Sequence, residues 1–317
     1  MRRVRGVLAA AVVVVALGML SACSGAGSTG TFAGAPAGKL RVLASFYPLQ
    51  SVAQQVGGDR VRVDSLTPPG AEPHDVELSP AQVSAVETAD VVIYLSGFQP
   101  AVDDAVRQVR PRHVVDAATH AGLLDLGTEL AAENETSLGV SGGGARTLDP
   151  HFWLDPSKMP ALADAVAGAL SEVDPSGAAD YRAAAARLDT RFAALDAEYT
   201  TGLADCQRQV LVTSHEAFGY LALRYHLQQV GISGLDPETE PSPARLAQIG
   251  DLVRREGVTT IFFETLASPK VARTLASDLG VHATVLDPME SMTQPGADYF
   301  SVAGTNLSTL RTALGCS

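Results

Sequence analysis

The segment Asp149-Pro150-His151-Phe152-Trp153-Leu154-Asp155-Pro156 is the most informative stretch of the chain. It holds the only Trp of the sequence and one of its seven His. Asp155 can cap a following helix through its carboxylate, and Pro156 suits the first helical position, where a missing N–H costs nothing. His151 is therefore predicted to lie just before a rigid helix, with its imidazole free to point into a cleft.

Strand and helix patterns alternate on both sides of this segment. Strands are predicted over residues 40–45, 61–66, 91–95, 113–115, 210–213, 228–232, 259–264 and 282–286. Helices are predicted over residues 47–56, 79–88, 102–109, 157–173, 178–203, 217–226, 242–256, 268–279 and 299–314. Alternating β/α units predict the α/β class, with two lobes of parallel sheet covered by helices.

One long helix is predicted to join the two lobes. Its apolar residues recur every three or four positions and form one stripe: Tyr181, Ala185, Leu188, Phe192, Leu195 and Tyr199. At 1.5 Å per residue such a helix is roughly 39 Å long. The predicted boundaries are residues 39–173 for the N-terminal lobe, 174–205 for the linker helix and 206–317 for the C-terminal lobe. Residues 121–148 lack periodicity and predict a long surface loop.

The first 22 residues have the composition of an export signal. Three Arg at positions 2, 3 and 5 precede an apolar run over residues 7–20, which is shorter than the ~20 residues that span a bilayer. The run ends in Leu20-Ser21-Ala22-Cys23, which resembles a bacterial lipobox. Residues 1–22 are therefore predicted to be a lipoprotein signal peptide, and Cys23 the lipidated N-terminus of a flexible tether over 23–38. An uncleaved or conventionally cleaved signal is the alternative.

Charge and cysteine content narrow the class of protein further. The chain has 23 basic and 35 acidic residues, a net charge of −12, and removal of the three N-terminal Arg changes this to −15. An acidic chain without a basic patch argues against nucleic-acid binding.

Once Cys23 is lipidated, Cys206 and Cys316 remain as a pair in an oxidising compartment, and a disulfide is predicted. Two free thiols are the alternative.

Potential metal ligands lie in the loops of both lobes. In an open parallel sheet, ligands bind beyond the carboxyl ends of the strands. Four side chains are predicted to gather at one such edge, two from each lobe: His74, His151, His215 and Asp287. Three neutral imidazoles and one carboxylate suit tetrahedral Zn²⁺, whereas Mn²⁺ is better served by more oxygen ligands.

The sequence contains no common catalytic motif. It has no phosphate-binding Gly-rich loop of the required spacing, no Gly-x-Ser-x-Gly elbow and no His-Glu-x-x-His helix. His215-Glu216 does not begin such a helix, because Gly219 stands where the second His would be.

Three motifs resemble those of the zinc-binding solute-binding lipoproteins of bacterial ABC importers, the ZnuA-like group. They are Gly70-Ala71-Glu72-Pro73-His74-Asp75-Val76-Glu77, the segment 149–156 and Thr213-Ser214-His215-Glu216-Ala217-Phe218-Gly219-Tyr220. Glu240-Pro241-Ser242-Pro243 is similar too, and the resemblance extends from about residue 40 to the C-terminus. It implies two α/β lobes bridged by a rigid long helix.

The resemblance also implies which residues bind zinc. His74, His151 and His215 match the zinc ligands, and Asp287 matches the position of a carboxylate. Manganese-binding relatives carry Glu where His215 stands, so the sequence resembles the zinc branch. Many members of that branch have a His-rich acidic loop between the first two ligand motifs, but residues 121–148 contain no His.

The function implied is that of a Zn²⁺ carrier and not of an enzyme. The protein is expected to be a monomer, held by its lipid on the outer face of the cytoplasmic membrane. It is expected to pass Zn²⁺ to an ABC permease driven by an ATPase. Three alternatives remain: a manganese or iron carrier of the same fold, a secreted zinc hydrolase with Asp287 as base, and a surface adhesin.

Overall fold

The computed structural model describes residues 38–125, 148–292 and 296–317. The predicted signal peptide, Cys23 and all but the last residue of the predicted tether lie outside the described residues, as does most of the predicted loop 121–148. In the described part of the chain, no helix is both long enough and apolar enough to cross a bilayer.

The N-terminal lobe is built on a four-stranded parallel sheet with the order β2-β1-β3-β4. Its strands are β1 (Leu40–Ala44), β2 (Val61–Ser65), β3 (Val91–Tyr94) and β4 (Val114–Asp116). The central strand β3 is apolar and buried, as a strand covered on both faces requires. Since β2 and β3 lie on opposite sides of β1, the winding direction reverses at β1, and loops diverge there to leave a crevice.

The C-terminal lobe repeats this arrangement with the order β6-β5-β7-β8, again all parallel. Its strands are β5 (Val210–Thr213), β6 (Gln228–Gly231), β7 (Thr260–Phe263) and β8 (His282–Val285). Helices cover the sheets of both lobes: α1 (Tyr47–Gly57), α2 (Pro80–Thr88), α3 (Pro100–Val109), α4 (Ala118–Ala121), α5 (Met159–Val173), α6 (Ala178–Gly202), α7 (Gly219–Arg224), α8 (Pro243–Glu256), α9 (Lys270–Leu279) and α10 (Tyr299–Leu314). The predicted α/β class with two parallel-sheet lobes is confirmed.

Helix α6 is the predicted long helix and contacts both lobes. All six residues of the predicted apolar stripe are buried, and they belong to one cluster of buried side chains that includes residues of both sheets. At the N-terminal end of α6, Arg60 contacts Asp174 at 2.9 Å and Asp180 at 3.1 Å. Towards its other end, the Tyr199 hydroxyl donates to the carbonyl of Ala303 in α10 at 2.8 Å. The division of the chain at residues 174 and 205 stays a prediction.

Some predicted helix ends are displaced in the structure. Helix α3 begins at Pro100 and not at residue 102, because Pro is favoured in the first turn, where its missing N–H is not needed. The predicted helix 217–226 is shorter, Gly219–Arg224. The four-residue helix α4 was not predicted, because one turn is too short to show an apolar periodicity.

Cys206 and Cys316 form a disulfide in the structure, with a sequence separation of 110. Cys206 follows the end of α6 and Cys316 follows α10, so the covalent loop encloses β5 to β8 and their helices. The crosslink therefore restricts the unfolded chain of nearly the whole C-terminal lobe.

Replacement of both cysteines by Ser is expected to lower the free energy of unfolding by up to about 4 to 5 kcal/mol, because a loop of this length loses that much chain entropy when it is closed. Urea unfolding followed by circular dichroism measures the change. Wild-type protein kept reduced serves as the control and should match the double variant. Equal stability of the oxidised wild type and the double variant would contradict the expectation.

Candidate metal centre

Four side chains from separate loops converge between the two lobes. They are His74, His151, His215 and Glu290, and the metal-binding atoms that they offer lie within 4.8 Å of one another. We call these four residues the donor cluster. His151, His215 and Glu290 are fully buried, and the His74 side chain keeps 12% of its surface exposed.

His151 is held by the residue two positions before it. The Asp149 carboxylate accepts a hydrogen bond from the His151 backbone N–H at 2.9 Å and contacts the His151 Nδ1 at 2.7 Å. The Tyr220 hydroxyl in turn donates to the carbonyl of Asp149 at 2.9 Å. When Nδ1–H donates to Asp149, the lone pair of Nε2 faces the donor cluster, which is the tautomer that a metal needs.

His215 follows β5, at the point of the C-terminal sheet where the winding direction reverses. Its Nδ1 lies 2.7 Å from the Glu264 carboxylate, which directly follows β7. The Ser214 hydroxyl donates to the same Glu264 oxygen at 2.7 Å. His215 therefore has the same arrangement as His151, with a carboxylate behind the ring and Nε2 towards the donor cluster.

His74 comes from the loop between β2 and α2. Its backbone N–H donates to the Glu72 carboxylate at 3.1 Å, and its ring packs edge-to-face on Phe98 with centroids 4.7 Å apart. The same loop reaches the C-terminal lobe, where the Gly70 N–H donates to the Ser291 hydroxyl at 2.8 Å. Gly70 has a φ of 77°, a conformation that glycine adopts without strain.

Glu290 lies among the three imidazoles. Its Oε1 is 3.1 Å from the Nε2 of His151, 3.5 Å from that of His215 and 3.6 Å from that of His74. These three nitrogens and both Glu290 oxygens are buried, and none has a hydrogen-bond partner among the described residues. Ligands bound about 2.0–2.1 Å from a tetrahedral zinc ion lie about 3.3 Å apart. The observed separations therefore fit four ligands around one ion.

The charges of the donor cluster depend on what occupies it. Burial opposes a charge on His215, but Glu264 and Glu290 outweigh this effect and raise its pKa to about 10. Burial also opposes a charge on His151, and Asp149 with Glu290 raises the pKa of this His as well. Burial alone would raise the pKa of Glu290, but the three imidazoles hold it well below its usual value. Without a metal ion, protons on His151 and His215 would thus offset the carboxylate charges.

The predicted site and the observed cluster share three of four residues. The three predicted His come together, but Asp287 is not part of the donor cluster, and Glu290 stands in its place. The Asp287 carboxylate instead accepts from the backbone N–H of Met289 at 2.8 Å. The chain turns at Met289, where φ is 57°, and this turn presents Glu290 to the histidines. In the sequence both acids follow β8 closely, and nothing local distinguishes them.

Comparison with known proteins identifies the family of this chain. Residues 42–313 match the family model described as zinc-uptake complex component A, periplasmic. The chain belongs to this family. The resemblance inferred from the three motifs is therefore confirmed.

Individual relatives have names that refer to zinc. The zinc-binding lipoprotein AdcA of Streptococcus pneumoniae (strain TIGR4) is 34% identical over 282 residues, a match that covers 86% of this chain. This chain spans only 56% of the length of AdcA. The high-affinity zinc uptake system protein ZnuA of Bacillus subtilis is 32% identical over 307 residues, with 95% of this chain and 96% of that protein covered.

A solved structure of a zinc-bound relative has the same fold. The Zn(II)-bound ZnuA-like domain of Streptococcus pneumoniae AdcA superposes with a TM-score of 0.71 at 33% identity, and the match covers 87% of this chain and 99% of that one. The family is thus one of transport components that bind zinc outside the cytoplasm.

Zinc binding is expected to release protons, because ligand imidazoles must be neutral and the pKa values of His151 and His215 are raised. Since a raised His pKa keeps the proton bound up to higher pH, zinc affinity should increase with pH towards about 10 and decrease as the pH falls. Calorimetric titration at neutral pH in buffers of different ionisation enthalpy measures the protons released. We expect between about one and two per ion, and a heat independent of buffer would contradict this.

Proposed function

We propose that this protein is an extracytoplasmic carrier that binds one Zn²⁺ through His74, His151, His215 and Glu290. The ion is its cargo, which it delivers to the permease of an ABC importer. The observation that carries the proposal is the donor cluster itself: three imidazole nitrogens and a carboxylate, buried, mutually close and without hydrogen-bond partners in the described chain. Buried polar atoms left in this way are costly unless a bound ion supplies the missing interaction.

The chemistry of the donors favours zinc over manganese. Imidazole is a good ligand for Zn²⁺, whereas Mn²⁺ and other hard ions prefer shells dominated by oxygen. Three nitrogens and one carboxylate complete a tetrahedral shell, and the carboxylates of Asp149 and Glu264 orient two of the imidazoles from behind. The carrier of manganese or iron would need more carboxylates in direct contact with the ion.

The same shell argues against a hydrolase. Four protein ligands saturate a tetrahedral ion, whereas catalytic zinc keeps one position open for water. Asp287, the base that a hydrolase would need, accepts a hydrogen bond from its own turn and lies outside the donor cluster. We therefore propose that the protein catalyses no reaction and acts as a monomer that exchanges its ion with the permease.

Attachment to the membrane is the second part of the proposal. Cys23 follows Leu20-Ser21-Ala22, and lipid on its thiol would hold the carrier at the outer face of the cytoplasmic membrane. The permease and its ATPase would then receive zinc from a carrier kept close to them, at a high effective concentration.

Substitution of Glu290 by Gln is expected to weaken zinc binding by more than about 100-fold, beyond the 10- to 100-fold typical of groups that only support a ligand. The matched change Asp287→Asn keeps an oxygen that can accept from Met289 and should cost less than about 10-fold. Competition with a chromophoric chelator measures both affinities, for Zn²⁺ and for Mn²⁺. His151→Ala should abolish tight binding.

Three outcomes would decide against parts of the proposal. Weak zinc binding by folded wild-type protein would overturn the carrier function. Tighter binding of Mn²⁺ than of Zn²⁺ would keep the family and reverse the metal. A larger loss for Asp287→Asn than for Glu290→Gln would restore Asp287 as the fourth ligand.

Replacement of Cys23 by Ser is expected to move the protein from the membrane fraction to the soluble extracytoplasmic fraction, because the thiol that carries the lipid is removed. Fractionation of cells that express the full-length chain, followed by immunoblotting, makes the measurement. Zinc affinity of the purified variant should equal that of the wild type. Retention of Cys23→Ser in the membrane would contradict lipid attachment at this residue.

A further inference from the structure

Three buried amide side chains each bond to the backbone of a loop in the donor cluster. Gln99, Gln229 and Asn306 are 1%, 5% and 3% exposed. Each donates a hydrogen bond to the backbone of a loop that carries a residue of the donor cluster. Resting on the function proposed above, we propose that these three amides are positioning residues, which set the loops of His74, His215 and Glu290 for zinc.

Gln99 holds the loop of His74. It precedes helix α3, and its Nε2 donates to the Pro73 carbonyl and to the Thr67 hydroxyl, both at 3.0 Å. Thr67 lies after β2, and its hydroxyl donates to the Ser45 carbonyl after β1 at 2.8 Å. The residue next to His74 is thereby tied to the ends of two strands of the N-terminal sheet.

Gln229 gives His215 the same support in the C-terminal lobe. It lies in β6, and its Nε2 donates to the His215 carbonyl and to the Thr213 hydroxyl, both at 3.1 Å. The Thr213 hydroxyl also donates to the His215 carbonyl, at 2.6 Å. Both lobes thus use a buried Gln and a strand-end Thr to fix the backbone at or beside a histidine.

Asn306 fixes the turn that presents Glu290. From helix α10, its Oδ1 accepts from the Asp287 N–H at 3.0 Å and its Nδ2 donates to the Asp287 carbonyl at 2.7 Å. The Asp287 carboxylate then holds Met289, and the Trp153 indole donates to the Pro288 carbonyl at 2.8 Å. The three residues before Glu290 are therefore each held by a side chain.

The chemistry of an amide suits this task. The amide nitrogen carries two donors, so Gln99 and Gln229 each satisfy a carbonyl and a hydroxyl with one Nε2, while Asn306 donates through Nδ2 and accepts through Oδ1. It is also uncharged, so it adds nothing to the charge of a site that already contains Glu290, Glu264 and Asp149. A charged group in the same place would change the metal affinity directly.

Positioning matters here because ligand geometry must be held closely. A metal site that deviates by more than about 0.5 Å loses affinity and selectivity, and the groups behind the ligands supply that precision. Carboxylates orient the rings of His151 and His215, whereas the amides hold the backbone of the loops that carry His74, His215 and Glu290. Loss of one amide should thus loosen one donor and leave the others in place.

The test compares Gln99→Met, Gln229→Met and Asn306→Leu with the control Tyr199→Phe, which removes a buried hydrogen bond to Ala303 outside the donor cluster. Zinc affinity is measured by chelator competition, and the visible absorption of bound Co²⁺ reports the geometry of the ligand shell. Thermal melting of the metal-free proteins reports folding.

Each amide variant is expected to bind zinc about 10- to 100-fold more weakly and to give a weaker, shifted Co²⁺ spectrum, while its metal-free form still melts cooperatively. Tyr199→Phe should lower the melting temperature and leave both metal readouts unchanged. If a Gln variant fails to fold, Thr67→Val or Thr213→Val removes the hydroxyl of the same arrangement and carries the test.

Two results would overturn the inference. One is wild-type zinc affinity and Co²⁺ spectrum in all the amide variants, with Glu290→Gln still defective, which would leave the carrier function intact. The other is an equal loss in Tyr199→Phe, which would mean that general destabilisation explains the effect. Failure of the wild type to bind zinc would instead overturn the carrier function, and this inference with it.

Discussion

The burial of Glu290 among three imidazoles is the constraint on which the rest of the structure depends. A carboxylate removed from water is strongly unfavourable unless a positive charge or several hydrogen bonds compensate it. In the described chain, neither Glu290 oxygen has a hydrogen-bond donor, and the nearest groups are the three Nε2 atoms. The Glu290 charge can be compensated by protons on His151 and His215, whose pKa values are raised, or by a cation between the ligands. Binding follows from this requirement, because the fold has already assembled and desolvated the ligands.

The two-lobe fold supplies what such a site needs. Four loops must meet at one point. In a parallel sheet, the loops that bind ligands follow the carboxyl ends of the strands, and both lobes have sheets of this kind with the same strand order. Helix α6 packs against both lobes, because its buried stripe belongs to a core shared by both sheets. The entropy of arranging the ligands is lost during folding and not during binding, which favours tight capture of a single ion.

How far the sequence predicts the site depends on how local each signal is. His74, His151 and His215 could be found because each lies in a distinctive segment at the end of a strand or before a helix. Glu290 could not be separated from Asp287, because the choice depends on a turn that Asn306 and Trp153 stabilise from elsewhere. No local pattern points to Gln99 and Gln229, since their partners Pro73 and His215 lie 26 and 14 residues away in sequence. Local sequence patterns predict strands, helices and the types of ligand. Contacts between segments that are distant in sequence determine the final geometry of the site.

The net charge of the donor cluster would be the same with one zinc ion as with two protons. Zinc carries two positive charges, and protons on His151 and His215, whose pKa values are both raised, carry the same total. Exchange of one Zn²⁺ for two protons therefore leaves the net charge of the buried site unchanged. The carboxylates of Asp149 and Glu264 can accept from Nδ1–H in both states, so the imidazoles need not turn. The buried carboxylates are therefore compensated to the same extent in either state.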